Sequence, residues 1–124
     1  MKSCLPARRT QSWLAPALGL IGGVTVGTVD LCASAVQAPV ALLLIFGFAL
    51  GLFGGRWGWC WALLLGACVF FAHALAALLD YRPPYAVEPT HLATFLALIP
   101  AMLGYLGGLL LARALRACRA TQEV

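Results

Sequence analysis

Four apolar stretches, each long enough to cross a bilayer, fill most of this chain and leave little that could fold in water. They cover residues 13–31, 37–55, 57–79 and 91–112. A helix crosses the roughly 30 Å of hydrocarbon in about 20 apolar residues. Inside lipid the backbone must satisfy its own hydrogen bonds, so the spans are expected to be helices. A barrel would need alternation, and Ala41-Leu42-Leu43-Leu44-Ile45-Phe46 shows none. Hydrophobic residues make up 63% of the chain and charged residues 10%. Soluble domains average about 25% charged residues, so a water-soluble fold could not be covered. The expected fold is all-α: one transmembrane domain over residues 1–124, an antiparallel four-helix bundle with Gly/Ala-rich interfaces and tails at 1–12 and 113–124.

The net charge of +4 does not point to nucleic acid, because the basic residues flank the spans. Lys2, Arg8 and Arg9 precede the first span, Arg56 lies between the second and third, and Arg113, Arg116 and Arg119 follow the fourth. Only Arg82 falls on the other side, together with Asp30, Asp80 and Glu88. The excess of Lys and Arg on cytoplasmic loops places both termini inside. Trp13, Trp57, Trp59 and Trp61 then fall at the cytoplasmic interface, and Tyr81 and Tyr85 at the outer one, the depths that amphipathic rings prefer. Arg-rich, Asn-free usage matches a GC-rich bacterial genome, so a bacterial inner membrane is the expected location.

The first span admits a second reading. A basic leader, an apolar run and Ala33-Ser34-Ala35 have the form of a cleaved signal peptide. Cleavage after Ala35 would leave three spans in the same orientation. Asp30 at the end of the run argues for retention as a helix.

Glycine spacing is the strongest packing signal. Gly19, Gly23 and Gly27 recur at intervals of four in span one, and Gly47, Gly51 and Gly55 in span two. Gly58, Ala62 and Gly66 follow in span three, and Gly104, Gly108 and Ala112 in span four. Residues four apart share a helix face, and small residues there let backbones approach closely in lipid. These faces are expected to pack the bundle or to build an oligomer interface, with Gly22 and Gly107 available for a further contact. Pro100 inside span four is expected to kink it and free the carbonyl of Leu96, while Pro89 or Thr90 opens that helix.

Ionisable groups inside a membrane are functional candidates. His73 is the deepest, about 7 Å outward of the middle of span three at about 1.5 Å per residue. Depth matching places Thr25 and Thr94 as its hydrogen-bond partners, one candidate polar site. Asp30, Asp80, Glu88 and His91 form a second, outer-face cluster that His73 could join and that could in principle meet a cation. The five cysteines, Cys4, Cys32, Cys60, Cys68 and Cys118, have no metal-like spacing. No cofactor or metal is expected. Hydrolase, P-loop and dinucleotide signatures are missing, so the chain is not expected to be an enzyme. Two readings follow. One is a non-enzymatic interaction or accessory component whose partners are the lipid bilayer, further copies of itself or a larger membrane protein. The other is a small proton- or ion-linked channel or transporter using His73 and the outer acids.

Overall fold

The computed structural model describes residues 11–35, 37–82 and 95–122. Those residues form four α-helices and no strand. Helix α1 is Gln11–Cys32, α2 is Gln37–Phe53, α3 is Gly58–Leu78 and α4 is Leu98–Gln122; a 3-10 turn, Gly55–Trp57, joins α2 to α3. Three of the four are long and apolar enough to span a membrane. Helix α2, at 17 residues, is about 26 Å long at about 1.5 Å per residue.

Helix limits follow from local chemistry. Pro16 lies within α1, where it leaves the Ser12 carbonyl without its intrahelical donor. Pro39 sits in the first turn of α2, where a missing N–H costs little. Helix α2 closes with Gly54 N–H donating to Leu50 O at 2.7 Å. Gly55 then takes φ +57°, a left-handed conformation open to glycine at little cost. Gly55 was expected to continue the packing stripe of α2. Instead it lies beyond the helix, and a Cβ there would meet nothing within 4 Å.

The C-terminus of α3 is a Schellman motif. Tyr81 N–H donates to Ala76 O at 2.9 Å and Asp80 N–H to Ala77 O at 3.3 Å. Asp80 supplies the left-handed residue, at φ 49°. Glycine is the usual occupant.

Span four is interrupted close to Pro100. Phe95 and Leu96 are helical, Ala97 is a turn, and α4 proper begins at Leu98. Pro100 lies in the first turn of α4, and the break at Ala97 falls where its missing N–H leaves the Leu96 carbonyl without an intrahelical donor. Beyond Ala112, α4 continues to Gln122, with residues 113–122 all exposed.

Glycines set the pairing. Gly19 lies against the Trp61 ring, Gly23 against Cys68, and Gly27 3.1 Å from the Ala72 Cβ if given a Cβ of its own. Both numbers rise together, so α1 and α3 run parallel. The α2–α4 seam is tighter and reciprocal. A Cβ on Gly47 would strike the carbonyl of Ala101, and on Gly51 that of Tyr105; from the other side, Gly104 meets Leu44 O and Gly108 meets Phe48 O. These helices also run parallel, backbone on backbone, with carbonyl oxygens over glycine Cα atoms as weak Cα–H···O contacts require. Gly66 against Leu98 and Gly58 against the Tyr105 ring join α3 to α4 in opposite directions. Helix α1 also packs on α2, through Gly22 against Phe46, whereas α1 and α4 do not meet.

Val26, Leu43, Leu50, Ala62, Leu65, Val69, Ala101 and Tyr105 fill the centre. Outward-facing positions are apolar too, including Ile21, Ile45, Phe71, Leu78, Leu103 and Leu110. Trp13, Trp57 and Trp59 point outward, whereas Trp61 is drawn in over Gly19.

Candidate functional site

Parallel pairing of α1 with α3 brings together two residues far apart in sequence. Asp30 lies in the last turn of α1 and His73 in the last third of α3. Beyond the Gly27–Ala72 contact the register carries the Asp30 carboxylate to the imidazole. His73 Nε2 and Asp30 Oδ2 are 2.6 Å apart. With the proton on Nε2, the ring donates and the carboxylate accepts. The two side chains are 28% and 20% exposed, so each is mostly withdrawn from its surroundings and relies on the other.

The pair is the only ion pair within 4 Å among the described residues. It can hold its shared proton as an imidazolium–carboxylate pair, or carry a net negative charge with a neutral imidazole. Either form satisfies Oδ2, and Nδ1 remains for a second partner. An acid and a base in direct contact can exchange a proton without either becoming an isolated charge in a medium of low dielectric constant.

Other expected site residues are placed differently. Thr25 was expected beside His73. Its hydroxyl instead donates to Ile21 O at 2.7 Å, and Thr28 does the same to Val24 O at 2.8 Å. Both threonines satisfy themselves on their own helix, the local alternative open to such residues. Asp80 is exposed in the turn after α3. Asp30 was expected in an outer cluster with Asp80, Glu88 and His91; its hydrogen-bond partner is His73. Thr94, Glu88, His91, Arg8 and Arg9 lie outside the described residues. Among the described residues no group of three His, Cys, Asp or Glu is placed to hold a metal ion.

Glycine positions expected to pack helices divide in two. Gly19, Gly23, Gly27, Gly47, Gly51, Gly58, Gly66, Gly104 and Gly108 are buried against neighbouring helices, and Gly55 is not. Gly22 is buried between Phe46 and Leu65, and Gly107 stays half-buried, where an added Cβ would meet the Phe48 ring at 3.6 Å. Arg56, Arg113, Arg116 and Arg119 are exposed. They share one end of the molecule, because α3 starts where α2 and α4 end.

A furrow of about 620 Å³ runs between α1 and α3. It is walled by Val24, Leu31, Phe71, Leu75 and Leu79, with Asp80, Tyr81 and Arg82 at its mouth. Sequence reasoning singled out neither this furrow nor the role of Tyr81 and Arg82 in it. The signal was present in two glycines, Gly23 and Gly27, on the α1 face turned to α3.

Compared with known protein families, curated proteins and solved structures, the chain matches none of them.

Proposed function

We propose that the chain is a small integral membrane protein, an antiparallel bundle of four spans with both termini in the cytoplasm of a bacterial cell. In this reading it acts as a non-enzymatic interaction or accessory component of the inner membrane. The observation that carries the reading is the division of surfaces. The glycine faces are used within the chain, in the α1–α3 and α2–α4 seams. The exterior is left apolar, as lipid requires, with four exposed arginines, Arg56, Arg113, Arg116 and Arg119, at one end and Arg82 alone at the other. Because the seams are internal, a partner would meet the outer faces or the exposed arm of α4, which bears Arg113, Arg116 and Arg119. The orientation is supported by Arg56 sharing an end with that arm.

Photo-crosslinking from Leu115 and Thr121 in native membranes tests the interaction reading. A defined crosslinked species, either a second copy or one recurring partner, is the expected result. A chain that stays monomeric and uncrosslinked in membranes and in mild detergent would overturn it. Reporter fusions at both termini test the orientation, and opposite locations for the two ends would defeat it.

The His73–Asp30 contact favours a second reading, a proton- or ion-linked channel or transporter. Reconstituted vesicles loaded with a pH-sensitive dye distinguish it. Proton flux in the wild type that His73→Ala abolishes would support transport. Equal leak in wild type, variant and empty vesicles would leave the interaction reading alone.

A further inference from the structure

The furrow between α1 and α3 is built like a lipid site. We propose that it holds one membrane phospholipid, with an acyl chain along its apolar floor and the phosphate against Arg82. The floor exists because Gly23 and Gly27 carry no side chains where α1 turns toward α3, so the walls stand above it. Its volume, about 620 Å³, lies within the range of roughly 300–1,000 Å³ typical of small-molecule sites.

The mouth gives the second half of the argument. The Schellman turn at Asp80 folds Tyr81 back over Ala76 through the 2.9 Å bond, and both residues line the furrow. Arg82 follows immediately at the rim. Arg82 is the only Lys or Arg at that end of the molecule among the described residues, and no carboxylate among them lies within 4 Å of its guanidinium. Asp80 shares the rim and disfavours a headgroup with extra negative charge, so the feature recognised is the phosphate itself. A guanidinium at the end of an apolar groove matches a phosphodiester at the end of a hydrocarbon chain, and Arg suits phosphate through its paired donors. Within the bilayer the acyl chain is held by packing against the apolar walls, so selection falls to the phosphate contact.

The proposal rests on the membrane-spanning reading above, and one experiment separates the two. The full chain is reconstituted in vesicles, released in mild detergent and weighed by native mass spectrometry. Three lipids with identical chains are offered in turn: phosphatidylcholine, phosphatidylglycerol and phosphate-free diacylglycerol. The expected result is a one-to-one adduct with both phospholipids and little with diacylglycerol. Arg82→Gln, at an exposed position, lowers phospholipid affinity about fivefold, the equivalent of about 1 kcal/mol for one basic residue near lipid phosphate. Leu75→Trp fills the furrow and lowers retention of every lipid, and Val24→Trp does the same from the opposite wall. Equal retention of diacylglycerol, unchanged retention by Arg82→Gln, or an inserted wild-type chain without any adduct would each overturn the lipid site alone. A chain left outside the vesicles would overturn the membrane reading with it.

Discussion

His73 and Asp30 stand 2.6 Å apart although 43 residues separate them in sequence. They meet because α1 and α3 run parallel. The contact gives a mostly buried imidazole and a mostly buried carboxylate one mutual solution. Removing either side chain leaves the other without its polar partner.

That dependence predicts non-additivity. His73→Leu and Asp30→Leu each orphan a mostly buried polar group and are expected to cost about 1–3 kcal/mol. The double variant removes both groups and should cost less than the sum, with a coupling of about 0.5–3 kcal/mol. Reversible unfolding in mixed micelles measures all four corners of the cycle. Additive single effects would show that the contact contributes nothing to stability.

The α2–α4 seam predicts a sharp contrast between neighbouring glycines. A methyl group on Gly108 would collide with the Phe48 carbonyl, while one on Gly107 would meet only the Phe48 ring at 3.6 Å. Gly108→Ala is expected to destabilise by about 1–3 kcal/mol through overpacking. Gly107→Ala should be neutral or stabilising, since alanine favours helix over glycine by up to about 1 kcal/mol. Thermal aggregation of the two purified variants compares them directly, and equal midpoints would contradict the seam.

Two turn residues with positive φ should respond with opposite signs. Gly55 has φ +57° and nothing near it, so Gly55→Ala is expected to destabilise by about 1 kcal/mol through backbone strain alone. Asp80 carries that strain already, at φ 49°. Asp80→Gly should relieve it and stabilise the end of α3 by up to about 1 kcal/mol. Hydrogen exchange at the Tyr81 amide, which closes the motif, reports the second change locally. Faster exchange in Asp80→Gly would refute it.

The arginine arm of α4 should sense membrane charge. Replacing Arg113, Arg116 and Arg119 with Gln is expected to remove about 3 kcal/mol of attraction to an anionic surface, at about 1 kcal/mol each. An environment-sensitive dye on the exposed Cys118, with the other cysteines changed to Ala, reads the contact. Its emission should shift in phosphatidylglycerol vesicles and not in phosphatidylcholine, and the Gln variant should lose the difference. Identical emission in both vesicle types would place the arm away from the headgroups.

The helices were legible in the sequence to different degrees. Apolar length is a one-dimensional property, so the first three stretches could be drawn within a few residues of α1, α2 and α3. The fourth was harder. Pro100 marks the interruption of this span, but the apolar run gives no sign that the break falls at Ala97 and that a separate helix starts at Leu98. Gly55 continued an interval of four that the backbone abandons one residue after α2 ends. Which neighbour His73 bonds could not be decided, with Thr25, Thr94 and the outer acids all within reach in depth. Depth counting measures position along the membrane normal and says nothing about which helix faces which. Trp61 on Gly19, Gly23 on Cys68 and Gly27 on Ala72 set the register that selects Asp30 over Thr25. Thr25 was available in depth and already satisfied by Ile21.

The 1–3 and 2–4 pairing has a consequence for biogenesis. A chain emerging from the ribosome completes α2 some fifty residues before the helix that covers its glycine face. Until α4 arrives, the carbonyls of Leu44 and Phe48 have no glycine Cα against them. Closure of that seam therefore waits for α4, and a nascent product halted before it would expose the α2 ledge to any surveillance protease in the bilayer.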